Sequence, residues 1–329
     1  EVLEPSPHRV VPPCAELARG CGACQWQHVT VTAQQSLKRD IVLDALKRIG
    51  GVDHVPTRPT VELPPWSYRT TVRADVTRGR AGFRRARSHT SVAVADCLVA
   101  HPLLVPLITE GRYPGAHEVL LRCGSRTGDR LAVPTPKRAK VAVPDDVRND
   151  FIHEHAAGQR WRISAASFFQ SRADGADELA HLVGDAADEV GLTGTAVDLY
   201  SGVGLFAGVL AARGWSVTAV ESSPAAVGDA RENLRAFDAT IVGADVTKWS
   251  ATPADLVVAD PSRRGLARDG VATASATGAR RLILVSCDAA SLGRDTALLR
   301  DEGFALTALT PVDMFPHTFH IEVVSIFDR

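Results

Sequence analysis

Aromatic residues make up only 5% of this 329-residue chain, too few for a wide base-stacking surface. No run of 18 apolar residues occurs, so a helical membrane span is not expected. Neither charge is in excess: 37 Lys and Arg stand against 38 Asp and Glu. Global charge therefore announces no nucleic-acid partner, and such a partner would have to show as a local basic patch. The six cysteines are too sparse for a disulfide scaffold, yet Cys14, Cys21 and Cys24 crowd into eleven residues. That crowding favours a metal or cluster site in a reducing cytoplasm. No secretory signal opens the chain, which begins at Glu1 rather than Met. The expectation is a cytoplasmic protein. Internal repeats and low-complexity segments are lacking too, and nothing points to an obligate oligomer, so a monomer is expected.

The length allows two domains and a sizeable core. Residues 1–55 combine a Pro-, Gly- and Cys-rich opening with a helix over 32–49. Leu37, Ile41, Leu43, Leu46 and Ile49 recur there at roughly helical spacing, and Gly50-Gly51 ends the run. Residues 56–158 are punctuated by proline and carry short β-prone runs such as Thr70–Val76, Ser91–Val94 and His117–Leu121. Between Arg58 and Arg87, eight arginines (58, 69, 73, 78, 80, 84, 85, 87) face only Glu62 and Asp75. Guanidinium forks suit phosphates, which makes this a candidate RNA-facing strip in a β-rich domain; a solvated surface would carry the same charges. Residues 159–329 alternate strand and helix. Apolar strands are expected at Ala196–Tyr200, Ser216–Val220, Thr240–Val242, Leu256–Ala259 and Arg281–Val285, with β structure closing the chain over 304–309 and 321–327. Helices are expected through about Ala212 and from Pro224 to Phe237. This is the signature of an α/β, doubly wound, mostly parallel Rossmann-like sheet.

The loop Asp198-Leu-Tyr-Ser-Gly202-Val-Gly204-Leu-Phe-Ala207 joins the first of these strands to its helix in a G-x-G-x-x-G/A frame. Its glycines let backbone amides approach a ligand at a helix N-terminus. Glu221 ends the next strand, where a carboxylate can accept hydrogen bonds from both hydroxyls of a ribose. NAD and S-adenosyl-L-methionine are served equally well by this pair. Asp245 follows the third strand, within reach of an adenine amino group, and Asp260 opens Asp260-Pro-Ser-Arg-Arg-Gly265 after the fourth. Ligands of open α/β sheets bind at the carboxyl ends of the strands, where these acids collect, although one acid at a strand end is usually a helix cap.

The fifth strand runs into Ser286-Cys287-Asp288, which puts Cys287 at the same edge. A cysteine after a strand is usually a small buried apolar residue; in the ligand crevice it is a candidate nucleophile. Near the end, Phe315-Pro-His317-Thr-Phe-His320-Ile-Glu322 sets an acid into an apolar stretch. Such a carboxylate pairs, stays exposed, or has a raised pKa suited to proton transfer.

Taken together, these residues resemble the RNA 5-methyluridine methyltransferases, the TrmA/RumA-type enzymes that act on tRNA or large-subunit rRNA. The resemblance covers nearly the whole chain. It is carried by Cys14-x6-Cys21-Gly-Ala-Cys24-Gln-Trp-Gln-His28, Leu46–Gly51, Phe168-Phe-Gln170, Asp198–Phe206, Asp260–Leu266, Ser286-Cys287 and His320-Ile-Glu322, in family order. It implies an S-adenosyl-L-methionine-dependent RNA (uracil-5-)-methyltransferase with rRNA or tRNA as substrate. Cofactor contacts are implied for Gln170, Tyr200, Glu221, Asp245 and Asp260, along the loop of Gly202 and Gly204. A 4Fe–4S cluster is implied on Cys14, Cys21, Cys24 and Cys97; from spacing alone, four thiolates suit zinc as well. Cys287 takes the role of nucleophile and Glu322 that of general base, while Cys123 reads as a packed strand residue. The family usually has Asn and Pro after the catalytic cysteine, where this chain has Asp288 and Ala289; Ser262 replaces a proline and Arg172 an asparagine. Glu1–Cys14 resembles the segment that follows an N-terminal RNA-binding TRAM domain in many relatives, so that domain is expected to be missing here.

Uracil C5 is a weak nucleophile, and a thiolate added at C6 makes it enolate-like, which is the reason such an enzyme needs a cysteine and a base together. Other readings share parts of this pattern. An NAD-dependent oxidoreductase would use the same glycine loop, and an RNA cytosine-5 methyltransferase the same thiol. A non-catalytic or TRAM-dependent RNA-binding protein could retain the pocket alone.

Overall fold

The structure, a computed structural model, describes residues 2–191 and 193–329. The chain opens with a short helix α1 (Ala15–Ala18) and the long helix α2 (Val31–Arg48). A first sheet follows, built from β1 (Thr71–Thr77), β2 (Arg80–Arg84), β3 (Ser91–Ala93), β4 (Glu118–Cys123), β5 (Arg130–Thr135) and β6 (Val147–Arg148), with helix α3 (Val105–Thr109) between β3 and β4. Its spatial order is β3-β2-β1-β4-β5-β6, antiparallel except for β5–β6. A two-stranded hairpin, β7 (Phe151–Ala156) and β8 (Gln159–Ser164), then leads into the larger unit. Asp229 is fully buried and ties this hairpin down by accepting hydrogen bonds from the Ser164 amide, the Ser164 and Ser167 hydroxyls and the Arg162 guanidinium.

The larger unit comprises α4 (Ala173–Asp188), β9 (Gly194–Leu199), α5 (Leu205–Ala212), β10 (Trp215–Glu221), α6 (Pro224–Asn233), β11 (Ala239–Gly243), β12 (Leu256–Ala259), α7 (Ala267–Ala276), β13 (Arg281–Ser286), α8 (Ala289–Asp301), β14 (Ala305–Val312) and β15 (Glu322–Asp328). Its seven strands lie in the order β11-β10-β9-β12-β13-β15-β14. The first five are parallel, and β15 runs antiparallel between β13 and β14. Strand order reverses between β9 and β12, and that switch point opens a crevice at their carboxyl ends. The parallel strands are apolar on both faces. In β9, Ala196 joins one core with α4 and α5, while Val197 and Leu199 join another with α2, α7 and α8. The β-rich sheet encloses a third core around Val72, Leu107, Tyr113 and Leu121 that also takes in Cys123 in β4 and, from outside the strands, Cys24 and Cys97.

Helix α2 forms where its spacing predicts, but of the expected apolar stripe only Leu46 is fully buried. Leu37, Ile41 and Ile49 are 45–48% exposed. The buried face is Ala33, Gln34, Lys38, Val42, Ala45 and Leu46. Lys38 can be inside because its ammonium reaches Asp313 at 2.6 Å and the Phe315 carbonyl at 3.0 Å. Gln34 likewise donates to the carbonyls of Trp26 and Val29, and its own carbonyl accepts from the His317 amide at 2.6 Å. A buried polar group costs little once it is fully paired. Helix α6 also stops short of the Phe237 expected, at Asn233, whose side chain bonds the carbonyls of Arg162 and Val203. Among the described residues, no helix is long and apolar enough to cross a membrane.

Candidate active site

One cavity of about 710 Å³ occupies the switch-point crevice. Its wall gathers Gln170, Tyr200, Gly202, Glu221, Asp260, Arg263, Cys287, His320 and Glu322, together with Ala23 and Gln25 from the Cys-rich loop and Arg69 from the approach to β1. Seven of the residues singled out from sequence thus share one space. Gly204 and Asp245 stand outside this lining.

The glycine loop is shaped by its backbone. Gly204 has φ +96° and its missing Cβ makes room for Leu234, so it serves the close approach of loop and helix. Gly202 has φ +56°, and nothing lies within 4 Å of where a side chain would point. Its amide donates to Glu221 at 3.0 Å, and the other Glu221 oxygen accepts from the Ser223 amide at 2.6 Å. Tyr200 adopts φ +61°, rare for a residue with a Cβ, and its hydroxyl lies against Gly270.

Cys287 and Glu322 meet because of strand polarity. The antiparallel register of β13 and β15 ends at Ser286 opposite Val323. One step further along that register sets Cys287 across from Glu322, although 35 residues separate them in the chain. Asp260 is nearby, keeping a partial opening to the cavity while packed deep enough that desolvation pushes its pKa up to about 7; Gln170, donating at 3.1 Å, opposes that shift. Burial, with repulsion from Asp260, also holds Glu322 well above the usual carboxylate range. The Cys287 thiol is pushed up to about 12, first by burial and then by Glu322 and Asp260, while Arg263 pulls it down. Arg263 approaches His320 Nε2 at 3.3 Å, and burial with that neighbouring charge lowers His320 to about 4. Three acids, Glu221, Asp260 and Glu322, thus share the wall around the thiol with two arginines, Arg69 and Arg263.

No family model matches the chain. All of the chain aligns with an uncharacterized RNA methyltransferase of Streptomyces coelicolor at 33% identity, spanning 81% of that protein. A second, from Streptomyces avermitilis, is 32% identical across 85% of its length. The chain belongs to the RNA methyltransferase family. The crystal structure of Pyrococcus abyssi tRNA (uracil-54, C5)-methyltransferase in complex with S-adenosyl-L-homocysteine shares the fold: TM-score 0.76, 23% identity, 99% of this chain and 88% of that one.

Asp245 is exposed and caps the short turn that follows β11, accepting from the Thr247 amide at 2.9 Å and the Thr247 hydroxyl at 2.8 Å. The bland reading of an acid at a strand end describes this conformation. Asp288 accepts from the Ser291 amide at 2.8 Å and caps α8, as the family's usual asparagine could. Arg172 is buried in a two-pronged pair with Asp174 and also bonds the carbonyls of Pro64 and Met314. It is a structural tie, away from the cavity. Cys123 is buried in β4.

Cys24 and Cys97 are buried and Cys21 partly so. Burial raises all three thiols, Cys24 to about 11, and each also feels one or two of the others or Cys14. The four are thus neighbours, yet among the described residues no three His, Cys, Asp or Glu side chains are gathered tightly enough to hold a metal ion. Sequence reasoning passed over Gln25, Arg69, Phe315 and Thr318 as cavity residues. Gln25 belongs to the motif Cys24-Gln-Trp-Gln-His28, Phe315 and Thr318 to the segment that leads to Glu322, and Arg69 to the arginine strip; what the sequence does not show is that the fold brings these distant segments to one cavity.

Proposed function

We propose that this protein methylates C5 of a uridine in RNA, with Cys287 as nucleophile and Glu322 as general base. The observation that carries the reading is that this thiol and this carboxyl line one cavity, at adjoining strand ends, with the glycine loop, Glu221, Asp260 and Gln170. Bound S-adenosyl-L-methionine supplies an activated methyl group. Its ribose suits Glu221 and its adenine the neighbourhood of Asp245, and its positive sulfonium suits the acids of the crevice. Cys287 Sγ bonds to uracil C6, and the pair of electrons displaced from the C5–C6 double bond makes C5 a carbon nucleophile. Once C5 carries the methyl group, Glu322 takes the C5 proton, the double bond re-forms and Cys287 leaves as thiolate. A base within folded RNA must be splayed out to reach such a crevice. Gln25, Arg69 and Arg263 offer polar contacts to its edge.

A 4Fe–4S cluster on Cys14, Cys21, Cys24 and Cys97 completes the proposal. Its role there would be to order the loop that carries Ala23 and Gln25. Iron and labile sulfide in anaerobically purified protein, lost in Cys97→Ser, are expected; stoichiometric zinc instead would refute the cluster.

The function is tested by incubating anaerobically purified protein with radiolabelled S-adenosyl-L-methionine and unmodified total RNA, beside Cys287→Ala. Label recovered as 5-methyluridine with the parent protein and absent with the variant is expected. Label in 5-methylcytidine would move the reaction to cytosine. Cofactor binding without transfer would indicate a binding protein.

A further inference from the structure

Among the described residues, Arg263 is the positive group whose field is felt by both Cys287 and Glu322, and it stands on the irregular loop, residues 260–266, that leads into α7. What holds that loop is helix α8. Ser291 Oγ donates to the Arg263 carbonyl at 2.6 Å, and the Arg294 guanidinium donates to the Arg264 carbonyl. The Asp295 carboxylate, fully buried, accepts from the amides of Leu266 at 2.7 Å and Ala267 at 3.1 Å. The loop bends through positive φ at Gly265 (+69°) and Ala267 (+53°) to meet it, and any side chain at Gly265 would run into that carboxylate. Asp288, Ser291 and Asp295 recur at three- and four-residue spacing and so share a helix face. Asp288, the cap of that helix, immediately follows Cys287. One helix therefore positions the thiol at its start and clasps the arginine loop over its first two turns.

We propose that Asp295, assisted by Ser291, is a positioning residue that registers the Arg263 guanidinium against Cys287 and His320. The inference builds on the proposed thiol chemistry. A strained backbone position such as Ala267 persists only where surrounding structure over-determines it, and Asp295 supplies that determination from a site that touches no cavity surface. Without it the loop relaxes, Arg263 drifts from the mouth, and the thiolate loses its cationic neighbour.

The test reads the thiol directly, without RNA or methyl donor, so it stands or falls separately from methyl transfer. Full-length protein, Asp295→Asn, Ser291→Ala and Arg263→Gln are alkylated with iodoacetamide from pH 6 to 10, and modification of the Cys287 peptide is followed by mass spectrometry. The expected result is a profile displaced to higher pH in Arg263→Gln and in Asp295→Asn, with alkylation at pH 8 about tenfold slower for each unit of displacement, and a smaller displacement in Ser291→Ala. In the Asp295→Asn protein, kcat for methyl transfer falls while KM for S-adenosyl-L-methionine holds. A Cys287 profile unmoved in Asp295→Asn, or unmoved in Arg263→Gln, overturns the proposal. Should Asp295→Asn melt below the assay temperature, Ser291→Ala, which removes a single hydrogen bond, decides by the same reading.

Discussion

Asp260 carries an electrostatic cost that shows in the stability of the ligand-free protein. Its folded pKa, raised to about 7 by burial, lies above the value near 3.9 of an unfolded aspartate. The folded state therefore binds the proton more tightly than the unfolded chain. The associated stability is complete below about pH 4 and is lost as pH rises through 7. Asp260→Asn removes that dependence. We expect the melting temperature of the variant to gain on that of the parent protein from pH 4 to about pH 7 and then to hold level, in thermal unfolding without cofactor; a difference constant over that range would contradict the buried-acid account. Glu322 shares the environment and differs in role. Glu322→Gln keeps the shape and the thiol but removes the base, so a covalent protein–RNA species that survives denaturing electrophoresis should accumulate while methyl release to product stops. A Gln variant that turns over normally would assign the proton to another acceptor.

Between elements, the ties are long-range, and they separate what the sequence discloses from what it hides. The strands of the parallel sheet are legible because they are apolar on both faces and short, and the glycine loop is legible because its motif is local. Helix α2 is legible as a helix but not in its orientation. Its buried Lys38 is answered by Asp313, 275 residues away, and Gln34 by His317, 283 residues away; no periodicity reports such partners. Of the stripe Leu37, Ile41, Leu43, Leu46 and Ile49, three residues lie on the outer surface and Leu46 in the core. Two measurements follow from chemical unfolding. Leu46→Ala, at a fully buried site, should cost about 2–5 kcal/mol, whereas Leu37→Ala should stay within about 0.5 kcal/mol. Lys38→Met, which strands Asp313 as an unpaired buried charge, should cost about 3–5 kcal/mol, and adding Asp313→Leu should recover most of it. Equal losses in the single and double variants would mean that the pair is not what joins α2 to the loop before β15.

At the scale of the whole molecule, the cavity is assembled from three distant parts: the Cys-rich loop (Ala23, Gln25), the approach to the β-rich sheet (Arg69) and the edge of the parallel sheet. Arg69 belongs to the arginine strip of the β-rich sheet, and the strip is less uniform than its sequence. Arg73 pairs with Glu118 at 2.6 Å, Arg84 with Asp75 at 2.8 Å and Arg58 with Glu189 at 3.6 Å. Arg78 and Arg87 stand exposed at the two hairpin tips, both with positive φ, and no ion pair involving either occurs among the described residues. A guanidinium already engaged by a carboxylate has less to offer a phosphate than one facing water. Sequence counts eight equivalent charges; structure ranks them. Arg78→Gln with Arg87→Gln should weaken binding of total RNA at low salt and flatten the dependence of affinity on salt by roughly 0.7–0.9 for each phosphate that is no longer neutralised. Arg84→Gln should leave that slope nearly unchanged, since its charge is already answered by Asp75. Filter binding over a range of salt concentrations reads both. If Arg84→Gln flattens the slope as strongly as the tip variants do, the ion pairs open when RNA binds and the whole strip acts as one surface.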